Sequence, residues 1–449
     1  MLTGNIYYYN KSGSFLKREI SLLRLMFFTV LGFLFAGNGY SQPGISSPYS
    51  SFGVGYLSNT NNVRSMSMGG NAISIRDNYS INISNPASYS AFDSTSFLFE
   101  AGVVGSFVNY KTNNTNENLA TGTISHILMG FPVTKWWRAS LALLPFSTVG
   151  YDASSYNFKA DVGNIKYQYF GSGGLNRFSI GSSFQPLHYL SFGVNVSYLW
   201  GKINKSETIS FPDSLNLTST RLDNSISSGD LYFDLGAQYY TKLKNNLNLV
   251  VGATFNPKAN LSSEGFYIAR SYAGEANGIY NFKDTIVYVP ITRGGVEIPL
   301  GYGFGFTIEK SNHWMFGVEY KRTNWSEFRR FGQSDSLQNS STISVGGEYI
   351  PDYNSVYSYF QRVRIRFGGH FTQSYLELRG ERLKDFGITF GFGFPLKGSQ
   401  IRGNHSMLNI GIEIGTRGTE YRNLVKENYI NVHFSMSVQE RWFVKRRYK

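Results

Sequence analysis

From about residue 94 onward, apolar and aromatic side chains fall at every second position, with glycine, serine, asparagine or a charge between them. The stretch "LSFGVNVSYLWG" sets Leu190, Phe192, Val194, Val196, Tyr198 and Trp200 against Ser191, Gly193, Asn195, Ser197 and Gly201. "FGITFGFGF" from Phe386 and "LNIGIEIG" from Leu408 repeat the pattern, with Phe390 opposed to Gly391 and Ile412 opposed to Gly411. A period of two marks strands with two unlike faces. Here the apolar face is bulky and aromatic while the other is small and polar, which fits lipid outside a ring of strands and a polar lumen inside. Tight connections such as "FPVTKWW", "FQPLHYL", "YTKLKNNL" and "IEKSNHWM" alternate with long polar stretches at 151–176, 205–228, 258–291 and 326–341, which read as loops at the opposite rim. Counting alternating segments predicts an all-β fold, a transmembrane antiparallel β-barrel of about 14 strands over residues 93–449. A propeller would repeat a motif every ~40 to 50 residues, and none is visible.

Composition agrees with this reading. Aromatic residues make up 16% of the 449 and match the charged share, a balance that suits pleated, half-lipid surfaces better than helices. Cysteine is absent, so disulfide frameworks and thiolate metal sites are excluded. The formal net charge of +13 is scattered apart from the tail Lys445–Lys449, without the clustered basic face that nucleic acid requires as a partner. At the N-terminus, Lys17, Arg18 and Arg24 precede the apolar run Leu25–Ala36 and the small residues Gly39 and Ser41. That run is too short to span a membrane and has the form of a signal peptide over residues 1–41, cleaved after Ser41. The expected location is therefore the outer membrane, with outer-membrane lipid as the first partner.

Chemistry-bearing constellations are missing. The six histidines are dispersed, with no pair at metal-ligand spacing, and no phosphate-cradling or nucleophile-elbow motif occurs. His433 and Ser435 share a strand face without a third partner that sequence can place. No metal, no cofactor and no enzymatic activity are expected. Charges on the inferred lumen face, Glu100, Asp234, Glu309, Glu319, Lys321, Glu348, Arg364, Arg366 and Glu413, read as interior ion pairs, because a buried charge needs a partner. On the same face, a serine at Gly411 is expected to be milder than an arginine at the outward Ile412.

Residues 42–92 lack the alternation. "SMGGNAISIRDNYSINISNPASYS" supplies Gly69 and Gly70 for a turn, and Pro86 biases Asn85 away from helix, freeing its amide for unpaired backbone groups. Such a segment either hangs below a barrel as a linker or folds into its lumen as a plug, and the plug accounts for the glycine pair and Asp77. Arg64, Gly70, Asp77 and the Asn85-Pro86-Ala87 run, shortly before the first strand, resemble the N-terminal hatch of the FadL-like outer-membrane transporter family. The likeness extends to related Bacteroidetes barrels typified by PorV of the type IX secretion system, although Ser88 stands where the family usually has glycine. The resemblance implies a 14-stranded barrel closed by a hatch, with Arg64, Gly69, Gly70, Asp77, Asn85, Pro86 and Ala87 as hatch or gating residues. It also implies lateral passage of hydrophobic molecules in transporter members. Two functions stay open: a passive channel for a small hydrophobic ligand, or a barrel subunit of an envelope machine with other envelope proteins as partners, such as a secretion shuttle or an outer-membrane protein assembly accessory.

Overall fold

The computed structural model describes residues 47–134, 136–214, 217–276, 279–396 and 405–441. The apolar run 25–36, the expected cleavage site and the basic tail lie outside the described residues.

The chain forms one continuous antiparallel sheet that closes on itself. Its strands are β1 (Tyr56–Leu57), β2 (Ser96–Lys111), β3 (Asn116–Pro132), β4 (Trp137–Lys159), β5 (Gly163–Leu187), β6 (Leu190–Ser210), β7 (Ser219–Lys242), β8 (Leu247–Asn256), β9 (Ala259–Ala276) and β10 (Ile279–Ile298). They continue as β11 (Gly301–Lys310), β12 (Trp314–Thr323), β13 (Arg329–Arg330), β14 (Gln333–Ser334), β15 (Ser340–Tyr349), β16 (Arg364–Leu378), β17 (Glu381–Pro395), β18 (Met407–Gly418) and β19 (Lys426–Arg441). Strands β8 and β9 make one bent stave, as do β10 and β11, while β1, β13 and β14 are short pieces beside the ring. The result is a closed barrel of 14 staves. Closure is made by β19 on β2, an unbroken ladder from Lys426↔Lys111 to Arg441↔Ser96.

The exposure pattern is the reverse of a water-soluble protein. Outward Phe304, Phe367, Phe390 and Ile414 are each at least half exposed, whereas inward Arg366, Glu319, Thr389 and Ser435 are almost wholly buried. A ring with apolar side chains outside and polar ones inside is stable only with hydrocarbon around it.

The long polar stretches are not loops. Strand β4 runs on to Lys159 and pairs with β5 down to Lys159↔Gly163, and β6 and β7 pair as far as Ile209↔Thr220. Likewise β9 and β10 form a hairpin over most of 258–291. Beyond the hydrocarbon an outward residue need not be apolar, so the alternation fades while the hydrogen-bond ladder continues. Of those four stretches only the last is mainly a connection, 324–339, which holds the short β13 and β14.

Gly411 lies where the inner face meets the N-terminal segment. A Cβ there would lie 2.6 Å from the Ser67 hydroxyl of the N-terminal segment, so the small inner face is packed rather than open. Replacing outward Ile412 by arginine should cost about 2–4 kcal/mol near the midplane, and Gly411→Ser should cost about 1–3 kcal/mol by overpacking. Urea midpoints of unfolding from lipid bilayers measure both; an Ile412→Arg variant as stable as wild type would contradict the lipid-facing assignment.

Candidate functional site

The N-terminal segment from Ser47 to Phe92 lies inside the ring and touches staves on all sides. A short helix, α1 (Val63–Met66), starts at Asn62, whose side-chain oxygen accepts from Ser65 N at 3.0 Å. It ends in a turn through Gly69 and Gly70, both at positive φ (70° and 82°). The space leaves no alternative to glycine: a Cβ on Gly69 would sit 2.4 Å from the carbonyl of Gly369. Glycines in the wall answer in kind, since a Cβ on Gly346 or Gly368 would meet the Met68 backbone at under 2.5 Å.

Wall side chains then fasten the segment's peptide groups. One oxygen of Glu319 accepts from Ala72 N and Ile73 N at 2.7 and 2.6 Å, and Lys321 pairs with the same carboxylate. Thr389 accepts from Gly69 N at 2.8 Å, and Gln238 donates to Ile73 O at 3.0 Å. Asn85 donates to Ile73 O at 2.7 Å and accepts from Ala87 N, capping a 3-10 turn over Pro86–Ala91. Pro86 and Ala87 press on the wall at Gly193, and Ala87 is fully buried.

The charges gather into knots. Arg64 pairs with Asp77 of its own segment and with Glu348 of β15 at 3.0 Å; Glu348 also holds Arg364 at 3.1 Å and Arg366 at 2.7 Å. Arg366 donates onward to Asn409 at 2.8 Å. Burial alone would raise the Asp77 carboxyl, but Arg64 and Arg364 hold it below the ordinary range. The other inward charges have separate partners. Asp234 pairs with Arg177, Glu100 with His126 at 3.3 Å, Glu309 with Asn248 at 3.2 Å, and Glu413 with Asn431 at 3.1 Å and His433 at 3.4 Å. Ser435 donates to Glu100 at 3.0 Å, so the pair with His433 is part of this bonding rather than a nucleophile and its base. Among the described residues no group of His, Asp and Glu could hold a metal ion.

Two cavities flank the segment. One of about 520 Å³ lies toward the rim with the long extensions and is walled by Val104, Leu119, Phe146 and Leu383 as well as His370 and Asn431. A second of about 280 Å³, on the other side, is polar and charged, with Arg64, Asp77, Glu309 and Arg364 in its lining.

The wall beside the larger cavity is incomplete. Strands β3 and β4 pair only from Ile127↔Leu143 to Pro132↔Arg138. Above that, β3 from Asn116 to His126 pairs with β2 alone. Two local features produce this seam. Pro145 has no N–H to give a neighbour and marks a bulge against β5, and Ser125 is an extra residue that shifts the β2–β3 register between Gly102↔His126 and Val103↔Ile124. Sequence reasoning missed the seam, although a proline inside the otherwise regular run "LALLPFSTVG" is the signal that would have found it. It also missed β1, which is too short to show a period.

Comparison with known proteins agrees with this architecture. The model of one protein family, BamG, matches residues 23–449. No curated protein matches the sequence. Among solved structures, a Pseudomonas aeruginosa FadL homologue superposes with a TM-score of 0.58 at 12% identity, over 86% of this chain and 99% of that one. The Pseudomonas putida toluene transporter TodX gives 0.55 at 18% identity, over 87% and 100%. The CymD monoaromatic hydrocarbon channel gives 0.53 at 14% identity, over 88% and 100%. At those identities the likeness is one of fold, and the family is shown by the match along nearly the whole chain: this protein belongs to the BamG family, built on the FadL-type barrel.

Proposed function

We propose that this barrel passes small hydrophobic molecules across the outer membrane, from the 520 Å³ cavity sideways through the β3–β4 seam into the bilayer. The observation that carries the reading is the missing ladder above Ile127 and Leu143, at the level where the cavity is lined by Val104, Leu119 and Phe146. An apolar molecule leaving by that route never crosses water, whereas straight passage is blocked by the segment Ser47–Phe92 acting as a hatch. In that role Arg64, Asp77 and Glu348 fix the hatch to the wall, and Gly69, Gly70 and the Asn85-Pro86-Ala87 turn let it lie flat on the wall's glycines. The rim with short turns faces the periplasm, as in other outer-membrane barrels. The fold shared with a toluene transporter and a hydrocarbon channel supports the same substrate class.

A second reading, a subunit of an outer-membrane assembly such as a secretion shuttle or an assembly accessory, is favoured by one observation. On the short-turn rim, Val356, Tyr357 and Phe360 stand out from the loop between β15 and β16 with exposures of 84%, 103% and 76%. Purification from native membranes tests it, since stoichiometric partners lost on changing these three to serine would favour the assembly.

For the transport reading, deleting Ser125 should restore the β2–β3 register, straighten β3 and close the seam against β1, which already pairs with β4 at Ser147 and Thr148. Uptake of labelled toluene by cells should then fall by about tenfold or more, the loss expected when a binding-competent state is made rare, while unboiled protein still migrates as a folded barrel. Unchanged uptake would rule out the seam as the exit. For the hatch, Glu348→Gln leaves three buried arginines with one carboxylate fewer, which should cost about 3–5 kcal/mol and raise conductance in planar bilayers. An unaltered conductance with a lowered urea midpoint would assign Glu348 to wall stability alone.

A further inference from the structure

The larger cavity has two unlike walls. One is apolar and aromatic, with Tyr49, Phe146, Trp325, Tyr375 and Leu383, and the other is a cluster of ionisable groups on β16 to β19. Register builds the second wall in three rungs. In the first, Asp385, Arg417 and Glu427 lie directly opposite one another on β17, β18 and β19. In the next, Gly387, Gly415 and Tyr429 are opposed, with His370 of β16 across from Gly387. The third sets Thr389, Glu413 and Asn431 side by side. The two glycines make room for their neighbours' rings: a Cβ on Gly387 would lie 2.4 Å from the His370 imidazole, and one on Gly415 2.4 Å from the Tyr429 phenol. Imidazole and phenol thus meet between the carboxylates of Asp385 and Glu413.

Positive charge is scarce in this wall. Arg417 uses all three of its nitrogens, Nε donating to Asp385 at 2.9 Å, Nη1 to Glu427 at 3.2 Å and Nη2 to the Tyr56 hydroxyl at 2.6 Å. Tyr429 has one hydroxyl proton, lies 2.7 Å from Asp385 and 3.3 Å from Glu413, and can give that proton to one of them at a time. His370 Nε2 stands 3.8 Å from both carboxylates, too far for a hydrogen bond to either. Three carboxylates therefore share one guanidinium. With neutral imidazoles the cluster carries two negative charges, and a proton on His370 still leaves one. No other part of the cavity wall offsets this. Asp234 pairs with Arg177, Lys321 with Glu319, and His126 lies against Glu100. Arg322, opposite Tyr302, belongs to the outward face of β12.

We infer that the molecule this cavity takes is a small apolar amine, its ammonium set against Asp385 and Glu413 and its apolar body against Phe146, Trp325 and Leu383, and that carboxylic acids of the same size are excluded. The inference rests on the transport reading above and names the charge of the ligand. A buried negative surplus needs a countercharge. An ammonium brings three N–H donors, which give the two carboxylates the hydrogens that Tyr429 and His370 leave wanting. Aromatic faces beside the cluster already hold one cation, since Arg417 lies 4.2 Å from the Tyr56 ring centre and 5.3 Å from that of Tyr429. A carboxylate in the same place would meet like charges and no unengaged cation.

Benzylammonium, toluene and benzoate share one ring and differ in charge. Equilibrium dialysis against the purified barrel at about pH 8, above the ordinary range of an imidazole, measures all three, with protein-free micelles as the blank. Benzylammonium should bind about tenfold or more tightly than benzoate, and Asp385→Asn with Glu413→Gln should remove most of that difference. Benzoate held as tightly as benzylammonium by the wild-type barrel would overturn the inference, and that comparison requires no variant to fold. A double variant that migrates unboiled as a folded barrel yet keeps the preference would overturn it as well. Toluene bound with no preference between the two ions would remove the ammonium site and leave the apolar route standing. None of the three bound would remove the cavity as a ligand chamber, and with it both readings.

Discussion

The constraint on which this structure turns is that a strand in hydrocarbon must have both of its edges hydrogen-bonded. Water is not there to take the place of a missing neighbour, and an unmet peptide group costs several kcal/mol. A barrel meets the demand by closing, here through the long β19–β2 ladder. Pro145 and the extra Ser125 break closure at one place, where β3 above Ile127 keeps β2 as its one ladder partner and the β4 edge takes a substitute strand. Residues 47–58 on Phe146–Gly150 meet the constraint for β4 once β3 has turned away.

The inner face follows from the same economy of space. A ring of 14 staves encloses more volume than inward side chains fill, and the N-terminal segment occupies part of it. Its backbone approaches the wall closely only where the wall lacks Cβ atoms, at Gly193, Gly236, Gly252, Gly346 and Gly368. Peptide groups brought into that dry space need partners, which Glu319, Thr389, Gln238 and Asn85 supply. The Arg64, Asp77, Glu348, Arg364 and Arg366 knot does the same for charge, each guanidinium having a carboxylate within 4 Å.

Much of this was legible in the sequence because lipid imposes its pattern residue by residue. Phe390 against Gly391 and Ile412 against Gly411 identify the two faces without any structure, and repetition fixes the architecture. Where lipid ends, the pattern ends, so the extensions of β4 to β10 read as loops although their ladders continue. The residues expected at the hatch, from Arg64 to Ala87, do lie together inside the ring, but their wall partners are hundreds of positions away in the chain and leave no local trace. Glu348 carries no mark that distinguishes it from Glu309, yet it sits at the centre of three arginines while Glu309 meets an asparagine. Strand β1 was invisible for a different reason: two paired residues are too few for a period, and its strand character comes from β4.

Residues 47–58 and 61–92 are one stretch of chain, yet their fastenings are separate. Residues 47–58 are held by β4 and by residues toward the rim with the long extensions, among them Arg417, Glu427, Tyr375 and Lys205. Residues 61–92 are held by Glu348, Glu319, Thr389 and Gln238, and by internal bonds such as Asn62 to Ile81 and Asn61 to Gly70. The change of attachment falls between Ser58, bonded to β4, and Thr60, bonded to Ser84. One stretch of chain thus meets two separate demands, a partner for the β4 edge and a filling for the lumen, because each draws on its own set of wall side chains.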